Sequence, residues 1–315
     1  MVTETNSSLP SMISQLNKVE IRVDDGEKLT VWDSKTEGIP IVFAHGFPQT
    51  HLCWSGVLDA LRPLGDRYRF ICYDLRGFGE SSKSGEASWQ RFFQDHLNIV
   101  TALGLPKYHF VGHDWGGATA LHVARFHPEQ LRSAIILNTN YWKTDLKGMW
   151  HLFFLNLPIV TRLAFSLAPQ VVFRSFLVKT FRDPNRVPNN VSKAYLEMFT
   201  DKQTVDFWIR LYRNMAKSLV RQSSPAQLKR LLKTSYLKTP SVSPQAFKIP
   251  ITLIWGADDT FNPLWIAKDM LERLTRAGSQ ANLETVPDSG HFVSEEQPQI
   301  VSRHISNHVT RLDTT

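Results

Sequence analysis

Cysteine is scarce in this chain. Cys53 and Cys72 are its only two thiols, too few for a disulfide framework, so a reducing compartment is the default expectation. No apolar run reaches ~18 residues without a charge or proline, so no membrane-spanning helix is expected. The first fourteen residues are polar and lack a basic-then-apolar leader layout, and a cytoplasmic protein is the plain reading. Phosphate-binding loops and zinc-ligand spacings are missing as well, so no metal, nucleotide or redox cofactor is expected. Neither a recognition helix nor an aromatic stacking pattern for nucleic acid appears. Internal repeats and low-complexity segments are absent. What remains is 315 residues with 42% apolar and 21% charged side chains, enough to bury a substantial core in one large or two modest domains.

The net charge of +7 is unevenly spread. Residues 142–248 hold 18 Lys and Arg against 5 Asp and Glu, which leaves the remainder acidic. That basic stretch also has its own periodicity. Before it, short apolar runs at Ile39–Ala44, Tyr68–Tyr73, 108–111 and Leu131–Leu137 alternate with helical patterns, preceded by a hairpin pattern over 19–32 that turns at Asp25-Gly26. After it, strand patterns return at 250–255 and 282–286, and a helical one closes the chain at 298–312. Strands alternating with helices predict a mostly parallel sheet covered on both faces. Residues 142–245 carry helical spacings broken by Pro158, Pro169 and Pro184, and read as an inserted helical cap. Residues 1–18 read as a flexible N-terminal tail, and 19–141 with 246–315 as the core. The apolar, basic segment 149–181 admits peripheral contact with an anionic membrane; a plainer reading packs its apolar face on the core and solvates its cations.

One strand pattern runs into Gly112-His113-Asp114-Trp115-Gly116 and then a helix. The spacing Gly-x-Asp-x-Gly between strand and helix places residue 114 at the tip of a strained turn, where side chains at 112 or 116 would collide with their neighbours. The helix N-terminus aims free N–H groups at any charge developing there. A nucleophilic aspartate needs a base, and the base needs an acid to orient it. Ser289-Gly290-His291-Phe292 follows one late strand pattern and Trp255-Gly256-Ala257-Asp258-Asp259 another. His291 is therefore the candidate base and Asp259 the candidate acid, with Asp258 the competitor. His45-Gly46-Phe47-Pro48 fits an oxyanion hole, in which the N–H groups of Phe47 and Trp115 point at an oxygen of residue 114; Pro48 would fix the turn through a cis bond. Alternation points His113 away from the site. His51, His96, His122, His127, His304 and His308 read as surface or packing groups, and Asp74-Leu75-Arg76-Gly77 as a structural loop clamped by its own Asp74/Arg76 pair.

Together these motifs resemble the nucleophile elbow and triad of the α/β-hydrolases, and within them the epoxide hydrolase branch, whose near relatives are the haloalkane and fluoroacetate dehalogenases. The resemblance runs from about residue 19 to the end. It implies an α/β-hydrolase fold, a mostly parallel eight-stranded sheet with helices on both faces and a helical cap. It also implies a covalent alkyl ester on Asp114, hydrolysed by water that His291 activates. Leu211-Tyr212-Arg213-Asn214-Met215 is similar to the segment carrying one ring-opening tyrosine. Where a second tyrosine is usual stands Trp150-His151-Leu152-Phe153-Phe154, so His151 takes that place. Phe47, Pro48, Trp115, Trp150, Phe154 and Phe292 are the expected substrate contacts. The implied reactants are a small apolar epoxide and water. Dehalogenation by the same aspartate is the second expectation, with Trp115 and Trp150 holding halide. Against it, Trp115 and Ala118 stand where fluoroacetate dehalogenases need arginines, and Phe47 where haloalkane dehalogenases usually have Asn. A non-catalytic ligand-binding role is the third.

Overall fold

Runs such as Ile39–Ala44 contain almost no polar side chain, so a strand made from them must be covered on both faces. The computed structural model describes residues 11–145, 150–222, 236–238 and 247–314 and contains such a sheet. Its strands are β1 (Asn17–Arg22), β2 (Lys28–Asp33), β3 (Ile39–Ala44), β4 (Tyr68–Tyr73), β5 (Tyr108–His113) and β6 (Leu131–Leu137). A ribbon of β7 (Lys143–Asp145) and β8 (Tyr236–Lys238) stands apart, and β9 (Ile251–Gly256) and β10 (Ala281–Val286) complete the sheet. The eight strands lie in the order β1-β2-β4-β3-β5-β6-β9-β10. β2 alone runs opposite to the other seven strands.

Alternation divides the core. Val42 and Ala44 face one layer, while Ile41 and Phe43 face the other. The first layer is covered by α3 (Trp89–Ala102), α4 (Trp115–Phe126) and the helix Leu264–Arg276, and it is continuous with the apolar side of the cap. The second is covered by α2 (Ser55–Leu61) and the helix Pro298–Asp313. Polar residues therefore collect at the carboxyl ends of β3, β5, β6, β9 and β10, where parallel sheets leave room for a site.

Two expectations need correction. The segment 11–18 is not a tail. Its helix α1 (Met12–Gln15) buries Met12 and Ile13 together with Leu16 in the second layer, and the Met12 N–H donates to Asp59 Oδ1 at 2.6 Å. The ribbon β7–β8 was also not visible as alternation, because each strand is three residues long. The cap proper comprises α5 (Trp150–Leu155), α6 (Pro158–Leu167), α7 (Pro169–Thr180), α8 (Asn189–Thr200) and α9 (Lys202–Gln222). Pro158 and Pro169 do not merely break helices. Each opens the next one, where the missing N–H costs nothing. No helix among the described residues is long and apolar enough to cross a membrane.

The turn between β5 and α4 leaves no room for a side chain at Gly112 or Gly116. A Cβ on Gly116 would lie 2.1 Å from the Ala44 carbonyl oxygen, and one on Gly112 would lie 2.2 Å from the Gly116 oxygen. Both obstacles are backbone and cannot rotate away. Gly116→Ala should therefore cost about 3 kcal/mol or more. Urea denaturation followed by circular dichroism measures it, and an unchanged midpoint would contradict the packing described.

Candidate active site

Asp114 sits between β5 and α4 with φ 48° and ψ −112°, in the left-handed half of backbone space that a residue with a Cβ normally avoids. Surrounding hydrogen bonds hold it there. Its N–H donates to Leu137 O at 3.2 Å, and the Gly116 N–H donates to His45 O at 3.0 Å. The Thr139 hydroxyl donates to the Asp114 carbonyl at 2.7 Å. The carboxylate is consequently aimed into a cavity rather than along either element. Oδ2 accepts from the Phe47 N–H at 3.0 Å, and the Trp115 N–H also donates to the carboxylate. Burial raises the Asp114 pKa above the usual range, against the opposing pull of His291 and the two amides. The Phe47–Pro48 bond is cis.

His291 follows β10 and is buried beside Asp114. Its Nδ1 bonds Asp259 Oδ2 at 2.9 Å. Burial alone would push the imidazole pKa down, but the carboxylates of Asp259, Asp114 and Glu296 outweigh it, and the net direction is up. Asp259 is fully satisfied. Oδ1 accepts from the Phe261 N–H at 2.7 Å and the Asn262 N–H at 2.9 Å, while Oδ2 also accepts from Asn138 Nδ2 at 2.7 Å. The competitor Asp258 is a surface residue ion-paired with Arg182 at 2.9 Å.

Further groups brace this trio. The His291 N–H donates to Thr180 O, at the end of α7, at 2.7 Å. Glu296 accepts from the N–H groups of Gly290 at 2.6 Å and Arg182 at 2.9 Å, tying the histidine loop to the cap. His113 points away from the cavity, as alternation requires, yet it is not idle. Its Nε2 donates to His291 O at 2.8 Å, and its Nδ1 meets the Gln49 side-chain amide at 2.7 Å. Gln49 in turn donates to Glu295.

Across the cavity stand Tyr212, from α9, and His151, from α5, both buried. Their rings are 5.3 Å apart and nearly perpendicular. His151 is stacked between Phe47 at 5.6 Å and Phe261 at 5.3 Å. Burial, with His291 nearby, pushes its pKa down to about 3, so its imidazole is neutral near pH 7. Burial and the Asp114 charge push the Tyr212 phenol well above 10, against a hydrogen bond that the Trp115 side chain donates to it. The enclosed volume is about 400 Å³, within the usual range of small-molecule sites. Asp114, His291, Tyr212, His151, Phe47 and Trp115 all line it.

Several expected contacts do not reach this cavity. Phe292 packs behind His291 against Phe181, Phe154 stacks on Phe165 of α6, and Pro48 is turned away from the wall. Trp150 opens α5, and its side chain lies outside the described residues. The walls are instead completed by Phe176, Phe261, Leu152 and Met215, with His122 and Arg125 at the α4 end. His122 is thus a lining residue and not only a packing one. Asp74 and Arg76 do not pair with each other. Asp74 accepts from the His51 N–H and ring at 2.7 and 2.9 Å, and Arg76 forks onto Asp95 and Asp25. Their loop is structural, but through other partners. The expectation missed Asn138, which follows β6. Its position just past a carboxyl strand end was the one signal available; its positive φ of 37° is visible only in the structure.

The sequence pattern of the α/β hydrolase fold matches residues 39–298, and the chain belongs to that family of hydrolases. Among characterised relatives, Epoxide hydrolase 3 of Xenopus tropicalis is 24% identical over 84% of this chain and 70% of its own length. Haloalkane dehalogenase 2 of Mycobacterium bovis is 26% identical over 85% of this chain and 87% of its own. A crystal structure of a putative acyltransferase from Salmonella enterica superposes with a TM-score of 0.77 at 20% identity, covering 97% of this chain and 99% of that one. At that identity the likeness establishes the fold alone, and three different chemistries share it.

Glu295 gives a test of the bracing network that is independent of any substrate. Its carboxyl is buried, and burial lifts its pKa from 4.5 to about 8 despite donors from Tyr195 and Gln49. The folded protein then binds a proton that the unfolded chain has released. The associated stability is fully present below about pH 4.5 and is lost as pH rises to about 8. Glu295→Gln should remove that slope, gaining on the order of a few kcal/mol over the native protein between pH 5 and 8. Urea unfolding at both pH values reads the difference, and equal slopes for the two proteins would show that Glu295 is ionised when folded.

Proposed function

We propose that this hydrolase opens a small apolar epoxide to a vicinal diol through an alkyl ester on Asp114. The reading rests above all on one observation: a carboxylate, not a hydroxyl, occupies the elbow, and it shares its cavity with Tyr212 and His151. A carboxylate attacking an epoxide carbon releases an oxyanion on the substrate, and both residues across the cavity can donate a proton or hydrogen bond to it.

In the first step Asp114 Oδ1 attacks an epoxide carbon. The carbon–oxygen bond of the ring breaks, and the departing oxygen takes the Tyr212 proton while His151 donates a hydrogen bond. Oδ2 stays against the Phe47 N–H and becomes the carbonyl oxygen of the ester. In the second step His291 removes a proton from water, and the hydroxide adds to the carboxyl carbon of Asp114. The amides of Phe47 and Trp115 hold the resulting oxyanion, each worth about 3 kcal/mol by comparison with other such holes. Collapse breaks the ester bond, the diol oxygen takes the proton from His291, and the proton released as Asp114 re-ionises restores Tyr212. Asp259 and Asn138 act on His291 as positioning residues.

Halide displacement uses the same first step without an oxyanion to protonate. It needs donors facing the halide, and the Trp115 indole N–H is engaged by Tyr212. That bond favours epoxide over halide. A binding role without turnover would leave the triad geometry unexplained.

The test uses styrene oxide and a bromoalkane as paired substrates, with diol and bromide both assayed. Diol without bromide is expected, and bromide without diol would overturn the reading in favour of dehalogenation. In His291→Gln the ester should persist, seen as an adduct mass on the intact protein, with turnover down by at least about 10³. The pH dependence has a defined sign, because the base must be neutral. Its pKa is raised in the free protein, so hydrolysis of the ester should slow as pH falls. The midpoint should be lower in the ester than in the free protein, since esterified Asp114 no longer lifts His291. A single-turnover pH series measures both, and a rate that rises toward acid would contradict His291 as base.

A further inference from the structure

Burial of apolar surface is the main driving force of folding, so large apolar side chains left in water need a reason when they cluster. Eleven large apolar residues are strongly exposed among the described residues, and eight of them fall between Phe153 and Val178. Their spacing makes a surface. On α6, Ile159, Leu163 and Leu167 recur every fourth residue with Val160 beside them, a stripe about 12 Å long. On α7, Val171 and Val178 are separated by two turns, with Arg174 on the same stripe. The opposite faces of both helices are used: Thr161 and Phe165 of α6, and Phe173, Phe176 and Thr180 of α7, are buried. The two helices pack against each other, and the patch extends to Leu157, which caps α6, and Phe153 on α5. Leu167 is 80% exposed, Ile159 74% and Val171 65%. This is not the plain arrangement in which the apolar face packs on the core, because both faces of α6 and α7 carry apolar residues.

We infer that the α6–α7 face of the cap docks peripherally on an anionic membrane surface. Charge selects that occupant. Residues 150–182 contain four cations, Arg162, Arg174, Lys179 and Arg182, and no Asp or Glu; Arg162 pairs with Asp206 and Arg182 with Asp258, while Arg174 stands exposed on the stripe itself. Two copies of this chain meeting through the patch would bring like charges together, whereas an anionic bilayer meets both the apolar stripe and the cations around it. Farther along the cap, exposed Arg210, Arg213 and Lys217 on α9 add cations to the wider surface, while Lys202 pairs with Asp206. The stripe is too short to insert as a span and suits shallow burial among headgroups. This inference does not depend on which reaction the cavity performs.

The test is sedimentation of the full chain with vesicles of phosphatidylcholine alone or mixed equally with phosphatidylglycerol. Binding to the mixed vesicles is expected, weakened by high salt, with little to phosphatidylcholine alone. Leu163→Glu/Leu167→Glu should lower the partition coefficient at least about tenfold, and Arg174→Glu about fivefold on anionic vesicles. All are surface changes, so thermal unfolding midpoints should match the native protein and exclude misfolding as the cause. No vesicle binding by the native protein, or binding equal in the native and Leu163→Glu/Leu167→Glu proteins, overturns the inference. So does a native dimer in sedimentation equilibrium that Leu163→Glu/Leu167→Glu dissociates, since the patch would then belong to a second copy.

Discussion

Two carboxylates share one buried imidazole, and the rest of the site follows from what that requires. Asp259 and Asp114 flank His291 away from bulk water, where an unpaired charge costs several kcal/mol. Asp259 meets the cost with four donors: His291, Asn138 and the amides of Phe261 and Asn262. Asp114 has only the amides of Phe47 and Trp115 and the field of His291. The difference separates their chemistry. The satisfied carboxylate is held fast against His291, while the less satisfied one lines the cavity. Every one of these donors comes from a carboxyl strand end or the turn after it. The sheet order therefore matters, because β3, β5, β6 and β9 are consecutive neighbours.

The cap is more than a roof. Through Thr180 and Arg182 it bonds the loop that carries His291 and Glu296, and through His151 and Tyr212 it closes the cavity opposite Asp114. A shift of α7 would move His291 as well as the wall. The same helix carries Val171 and Val178 of the exposed apolar face on its other side, so one element joins the outer surface to the site.

Much of this was legible in the sequence, and for identifiable reasons. The elbow announces itself because Gly112 is excluded from bearing a Cβ by the backbone of its own turn, and Gly116 by that of Ala44 in β3. The β-strands are readable because burial on both faces leaves runs without polar residues. Asp259 could be preferred over Asp258, and the structure separates them by burial. What was not legible depends on partners distant in the chain. Nothing near Asn138 says that its amide will meet a carboxylate 121 residues later, and Gln49 finds Glu295 across 246 residues. Arg76 was assigned to the nearest acid, Asp74, but the fold offers it Asp95 and Asp25 instead. Helical phase misled at the cavity wall. His151 and Leu152 face inward, whereas Phe154, two positions on, meets α6.

The most direct test of the account is the fate of oxygen. In a single turnover with styrene oxide in ¹⁸O-water, with protein in excess, the diol should carry an unlabelled second oxygen. The heavy atom should appear in the peptide containing Asp114, since water attacks the carboxyl carbon and not the substrate. Diol bearing ¹⁸O from the first turnover, with the Asp114 peptide unlabelled, would mean direct attack by water and would contradict a covalent ester at this residue.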